Sequence, residues 1–303
     1  MDDVGRLLAV SFYEGLAFGF VAIGVYLTFR VLAFPDLTVD GSFPLGGAVA
    51  AVLIINDVNP WLATLAAFGA GLCAGLATSL LNTKLRINAL LAGILMMVAL
   101  YSINLMIMGR SNIGLLRETT VFSQVAQLIG IEDKVTLSII FMVVLVVLIL
   151  AILNWFLRTE IGLALRATGE NEQMVRGLGG NTDMTTILGV SISNGLVALS
   201  GALIAQNQGV ADVGMGVGMI VMGLASVIIG EGIFRPRGVT AILLAVIGGT
   251  FAYRLFISVA LRLNWVSAGN LKLITALLVI VALAVPYIQK KLRHEWIPPA
   301  ARM

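Results

Sequence analysis

Apolar runs of membrane-crossing length recur along the chain, separated by short polar breaks. A helix rises about 1.5 Å per residue and a hydrocarbon core is about 30 Å thick, so each crossing needs about 20 residues. Hydropathy on that scale predicts about nine helical segments. They fall near residues 9–30, 36–56, 60–81, 88–108, 134–157, 187–208, 213–230, 239–260 and 269–289. The clearest, 135–157, is interrupted only by Thr136, Ser138 and Asn154. The pattern predicts an all-α membrane protein whose residues 1–303 form a single transmembrane domain.

Two segments break the pattern. Residues 36–50 carry Asp36, Asp40, Gly41, Pro44, Gly46 and Gly47, and residues 210–220 carry Asp212, Gly214, Gly216 and Gly218. Glycine weakens a helix by about 1 kcal/mol and proline by about 3. Unwound backbone at membrane depth survives only where protein buries it or water reaches it. One broken segment falls early in each half, which points to a pseudo-symmetric internal repeat with a pathway at its interface. The competing explanation is close helix packing through small residues, and that is the expectation for the GxxxG pairs Gly15–Gly19 and Gly71–Gly75.

Composition agrees with a membrane setting. The chain is 59% hydrophobic and 12% charged, against about 25% charged in soluble domains. Its mean hydropathy is +1.02. One cysteine, Cys73, cannot make an intrachain disulfide, and one histidine, His294, cannot build a metal centre. The net charge of +3 is small, and the way the charges are distributed argues against a nucleic-acid groove. The first apolar run is long enough to span and lacks a small-residue cleavage site after it. With the amino terminus outside, the inner loops and a tail at 290–303 hold Arg30, Lys84, Arg86, Arg158, Arg166, Arg176, Arg235, Arg237, Lys290, Lys291, Arg293 and Arg302. The outer side keeps the smaller set, so this orientation obeys the positive-inside rule. Residues 158–183 then face the cytoplasm, residues 109–133 form the longest outer loop, and an odd number of spans leaves the carboxyl terminus inside.

Residues 158–183, RTEIGLALRATGENEQMVRGLGGNTD, are the one long charged and amphipathic stretch. Ile161, Ala164, Leu165 and Thr168 fall at helical spacing. Gly169 is expected to interrupt that helix. A second short helix follows, with Glu170 and Glu172 in its first turn, where the helix dipole favours acids, and Arg176 near its end. Gly177, Gly179 and Gly180 stop it. Met174 and Leu178 are apolar knobs suited to a groove on a partner. An interfacial helix resting on headgroups is the plainer reading, but anionic lipid would repel the two glutamates.

The run RTEIGLALRATGENEQMVRGLGGN resembles the cytoplasmic coupling segment of ABC-transporter permeases of the branched-chain amino acid and ribose type. DLTVDGSF and GVGMIVMGLASVIIGE are also similar to that family, and more so to a bacterial subgroup associated with aromatic amino acid uptake. The resemblance extends over essentially the whole chain. It implies a permease in the bacterial inner membrane that pairs with a second, identical copy. It further implies that an extracytoplasmic solute-binding protein delivers solute, and that a separate cytoplasmic ATPase dimer, binding ATP and Mg, drives transport. Arg166, Glu170, Glu172, Met174, Arg176 and Leu178 would then meet the ATPase. The sequence has no GxxxxGK[ST] phosphate loop and no cofactor motif of its own, so it implies a non-catalytic subunit.

Polar side chains within spans tend to face a bundle interior. On that basis Asp36, Thr38, Asp40, Ser42, Asn104, Asn194 and Asp212 are candidates for the translocation path, joined by Gln206, Asn207 and Gln208. Met215 and Met219 are candidates for a soft lining, although methionines at helical spacing also pack plainly. Asp36 and Asp40 have the alternative of capping their own segment. Glu14 and Arg254 are expected to snorkel toward the membrane surface. The few charges favour a zwitterionic or neutral solute, an amino acid first and a pentose or nucleoside second. A secondary transporter with inverted repeats stands as the other function class, with Asp40 or Asp212 as its coupling group. No Ser/His or His/Asp/Glu constellation supports a membrane enzyme.

Overall fold

The computed structural model describes residues 3–129, 134–262 and 280. The expected segment at 269–289, except for position 280, and the tail at 290–303 with His294 lie outside them. The described chain is helical. Helix α1 (Asp3–Val25) runs into a π-helical turn, Tyr26–Val31, followed by α2 (Val39–Ile55), α3 (Pro60–Thr83), α4 (Ala89–Met108) and α5 (Val121–Ile129). Then come α6 (Lys134–Phe156), α7 (Glu160–Glu170), α8 (Glu172–Gly177), α9 (Thr182–Gln208), α10 (Met219–Phe234) and α11 (Val239–Arg262).

Among the described residues seven helical stretches are long and apolar enough to cross a membrane, and α2 is a shorter apolar helix. Eight of the nine expected segments therefore correspond to helices, with shifted limits. The break expected at 36–50 lies mostly before α2, because residues 33–37 stay non-helical and Pro44 is tolerated inside the helix. The segment expected from 213 starts as a 3-10 turn, Val213–Gly216, and becomes α-helical only at Met219. The segment expected from 187 begins at Thr182, where the Asn181 side chain accepts the Met184 amide. That cap lets the helix extend through polar residues beyond the apolar run.

Two features were absent from the expected pattern. Strands β1 (Asn112–Gly114) and β2 (Val210–Asp212) form an antiparallel ribbon with Ile113 opposite Ala211. The loop expected on the outer side contains α5, whose Val121, Phe122 and Val125 face inward while Leu128 faces out.

The core is built on an exchange symmetry. Helix α1 packs against α10 and α11 as α9 packs against α2 and α3. Helices α1 and α9 lie antiparallel at the centre: Ser193 Oγ donates to the Gly24 carbonyl and Ser200 Oγ to the Ala17 carbonyl, both at 2.7 Å. Exchanging α1–α2–α3 for α9–α10–α11 preserves these neighbours, as an inverted repeat requires. Small residues permit the close crossings. A Cβ on Gly46 would strike the Ala198 backbone, one on Gly201 the Phe43 backbone, and Gly71 and Gly75 face the α9 backbone. Gly15 faces the α11 backbone at Phe251, and Gly19 makes room for the Ile247 side chain of α11. Lipid tails are as apolar as leucine, so this close van der Waals fit carries much of the association. Helices α4 and α6 leave most of their apolar surface uncovered, which suits contact with lipid or another subunit.

Candidate functional site

The charged stretch forms two short helices across one end of the bundle. Thr159 caps α7 and Asn171 caps α8, each side chain accepting a backbone amide three residues on. Asn171 is therefore where the two helices part. Gly169 does not interrupt α7, which continues to Glu170, and only Glu172 lies in the first turn of α8. Gly179 takes the left-handed conformation (φ +85°) that ends α8. The packed face of α7 is Gly162, Leu165 and Thr168, and Ile161 points outward. Gly162 seats on the Phe156–Leu157 backbone and Gly169 on the Val31 carbonyl, contacts that any side chain would block. The packed face thus keeps Leu165 and Thr168 of the expected stripe and takes in the two glycines in place of Ile161.

The expected contact residues divide into two groups. Met174 and Leu178 are 50% and 80% exposed, and Glu170 is exposed as well. Arg176 is engaged within the chain: it donates to Glu172 at 2.7 Å, Asp183 at 3.0 Å and Thr182 at 2.6 Å. Glu172 is its partner, and Lys84 reaches Asp183 at 3.6 Å. Arg166 turns inward, half-buried, with its Nε unpartnered. The neighbouring ends of α1 and α10 are joined by an Arg30–Glu231 ion pair, which borders an apolar pocket of about 520 Å³ between Val25, Phe29, Leu224 and Val227.

From Val31 the chain enters the bundle. Ala33 adopts φ +52°, a strained conformation for a residue with a Cβ. Asp36, Thr38, Ser42, Asn104 and Asn194 are all fully buried. Asp36 accepts the Thr38 amide at 2.9 Å and Asn194 Nδ2 at 2.6 Å. Ser42 donates to Asn194 Oδ1 at 2.6 Å, and Thr38 and Thr78 share a hydroxyl contact at 2.8 Å. Asn104 donates to the Gly41 carbonyl at 3.1 Å while its Oδ1 has no partner. Five of the expected path residues thus come together where α2 begins, and Thr78 joins them unforeseen.

Asp40 does something that the sequence hides. Its carboxylate accepts the Gly218 amide at 3.0 Å and the Ile220 amide at 2.9 Å, capping α10 rather than its own helix. The start of α10 has no cap from its own side chains, and Gly218 is left-handed at φ +91°. Gly216 lies against the Asp40 carbonyl and Pro44. The two broken segments therefore meet each other. Asp212 stays apart from this junction and caps the 3-10 turn through the Gly214 amide at 2.6 Å. Met215 packs over Gly47, and Met219 against the main core, so both serve packing in this conformation.

Glu14 and Arg254, expected to reach toward the membrane surface, are side by side in the fold. They pair with each other at 3.4 Å, with side chains 24% and 20% exposed. Lone charges of opposite sign in two apolar spans were the available signal. Gln206 is likewise drawn inward, donating to Thr64 and accepting from the Val121 amide. Gln206 and Asn207 line a pocket of about 540 Å³ beneath α5.

Residues 7–285 match the family described as branched-chain amino acid transport system, permease component. The chain is 41% identical over 271 residues to a tyrosine transport system permease protein of Clostridioides difficile, covering 89% of this chain and 88% of that one. It is 35% identical over 196 residues to an uncharacterized protein of Rickettsia prowazekii, covering 65% and 66%. A ribose import permease of Escherichia coli is 27% identical over 173 residues, covering 55% and 51%. No solved structure matches the chain. Membrane-crossing helices, paired breaks and a match over nearly the whole length converge: the chain belongs to the branched-chain amino acid transport permease family, the membrane components of ABC transporters.

Proposed function

We propose that this chain is the membrane subunit of an importer that moves an aromatic amino acid by ATP-driven alternating access. The carrying observation is the α7–α8 pair. Its Met174 and Leu178 project outward, while its root rests on backbone at Gly169 and on the Arg176–Asp183–Lys84 network. A surface that is rigidly rooted and apolar at its tip suits a groove on a cytoplasmic ATPase dimer. That dimer holds ATP and Mg; this chain holds no cofactor. The chain lies in the bacterial inner membrane with its amino terminus outside and its carboxyl terminus inside. It pairs with an identical copy and receives solute from an extracytoplasmic binding protein.

Motion of α7 reaches the Val31 end of the π-helical turn through Gly169. From there the strained residue Ala33 leads to Asp36 and Asn194, and on to the Asp40 junction with α10. Parting Arg30 from Glu231 opens the inner pocket between α1 and α10. The aromatic solute is supported by likeness to a tyrosine transport permease over most of both chains.

The test is the pair Met174→Glu and Leu178→Glu in the reconstituted transporter. Uptake should fall while ATP hydrolysis by the partner continues, because the tip no longer seats. Undiminished uptake sinks the docking assignment. Uptake driven by a proton or sodium gradient without any ATPase would replace this account with a secondary transporter.

A further inference from the structure

We propose that the cleft between α1 and α10 is a holding site for the solute, in which the apolar walls take the ring of an aromatic amino acid, Arg30 its carboxylate and Glu231 its ammonium. The proposal rests on the amino-acid importer reading and adds a place where the solute is held before release.

The cleft has the size and the access that a solute needs. Its volume of about 520 Å³ falls within the usual range for a small-molecule site, roughly 300–1,000 Å³. Val25 and Phe29 of α1 and Leu224, Val227 and Ile228 of α10 wall it, and Arg30 and Glu231 themselves line it. Its far end is blind: a Cβ on Gly223 would meet the Val25 side chain at 2.7 Å, so the two helices close together there. Beside Glu231, a Cβ on Gly232 would meet nothing within 4 Å, which leaves the entrance open. A short, blind cleft suits a compact ring, whereas an acyl chain needs a groove that continues along the helices.

The charged pair at the entrance is placed for exchange. The side chains of Arg30 and Glu231 are 56% and 26% exposed, so solute can reach both. An ion pair this open to solvent contributes little to stability, and contacts with a zwitterion can replace it. Arg30 presents a planar fork suited to a carboxylate, and Glu231 accepts from an ammonium. Binding exchanges one ion pair for two of opposite sense, so no net charge is added to the membrane. Phe29 offers a ring for offset or edge-on stacking. Arg30 belongs to the π-helical turn Tyr26–Val31, and such turns are frequent at functional sites. The next residue, Val31, is where Gly169 of α7 rests. Exchange therefore breaks the link between α1 and α10 beside the root of α7, which ties occupancy of the cleft to the docking helices.

The experiment measures binding to the full chain in phosphatidylcholine nanodiscs by ligand-detected NMR. Uptake is measured in liposomes with the full transporter, including its ATPase and binding protein. The probes are L-tyrosine, tyramine, which lacks the carboxylate, and 3-(4-hydroxyphenyl)propionate, which lacks the ammonium. The wild type should bind L-tyrosine better than either. Arg30→Gln should weaken L-tyrosine and the propionate by roughly tenfold to a hundredfold without weakening tyramine. Glu231→Gln should weaken L-tyrosine and tyramine by a similar factor without weakening the propionate. Arg30→Lys keeps the ion pair but not the fork, and should still weaken L-tyrosine. Both side chains are exposed, so all three variants should keep the wild-type thermal midpoint. A pair that only ties two helices together would not sort the probes in this crossed way. Loss of all three probes alike, or of none, overturns the site, and ATP-driven uptake of L-tyrosine by the wild type then leaves the importer reading intact. A phospholipid retained by the wild type in native mass spectrometry, with no L-tyrosine bound, assigns the cleft to lipid and overturns the site as well. A wild-type transporter that takes up no amino acid overturns the importer reading and the site with it.

Discussion

Replacing Asp40 with alanine should loosen the start of α10, a helix that is remote in sequence. Asp40 accepts two amides, from Gly218 and Ile220, at 3.0 and 2.9 Å. Hydrogen bonds to a charged group contribute about 1.5–3 kcal/mol each. Favourable interaction with the helix dipole adds about 0.3–1 kcal/mol. The simple sum is about 3–7 kcal/mol, but Asp40 is only half-buried and water can replace part of what is lost. A local loss of about 2–3 kcal/mol is therefore expected. At about 1.4 kcal/mol per factor of ten, amide exchange at Gly218 and Ile220 should quicken by roughly 30- to 150-fold. Hydrogen–deuterium exchange in nanodiscs reads this directly. Asp212→Ala is the matched control, since it should free the Gly214 amide and leave Ile220 protected. Exchange at Ile220 within threefold of wild type in the Asp40→Ala protein would refute the reasoning.

Three further outcomes are expected. Gly169→Val places a side chain against the Val31 carbonyl; overpacking of this kind costs about 1–3 kcal/mol. It should lower both the thermal midpoint in detergent and the uptake per ATP hydrolysed. Asn194→Leu leaves Asp36 buried with only the Thr38 amide. Breaking such a contact should destabilise the protein by about 2–4 kcal/mol, measured by chemical denaturation in mixed micelles, and Asp36→Asn in the same chain should recover part of it. In a Cys73→Ser background, Leu178→Cys and Leu116→Cys offer exposed thiols at opposite ends, 80% and 86% exposed in the parent. An impermeant maleimide should label the Leu116 variant in intact cells and the Leu178 variant only in inverted vesicles.

The membrane helices were legible because an apolar run of span length has few other uses. The charged stretch 158–183 stood out for the opposite reason: among apolar spans its polarity marks a surface. Helix limits moved where a single cap, Asn181 or Asn171, overrode hydropathy. The packed face of α7 was legible in part: Leu165 and Thr168 pack inward as their spacing suggests, whereas Ile161 points out and Gly162 and Gly169, which contribute nothing to an apolar stripe, make the closest approaches. The roles of Asp40, Thr78 and the Glu14–Arg254 pair depend on contacts between residues far apart in the chain. Local spacing carries no record of such contacts, and only the fold brings them together.

The β1–β2 ribbon has a consequence for biogenesis. When β1 leaves the ribosome its partner is still unsynthesised, because α5 through α9 must be made first. An unpaired strand edge invites wrong pairing. The nascent chain therefore carries an open edge, three residues long, until β2 emerges and closes it in the register of Ile113 with Ala211. That end of the bundle is completed late in translation, and a product truncated before Val210 would retain that edge.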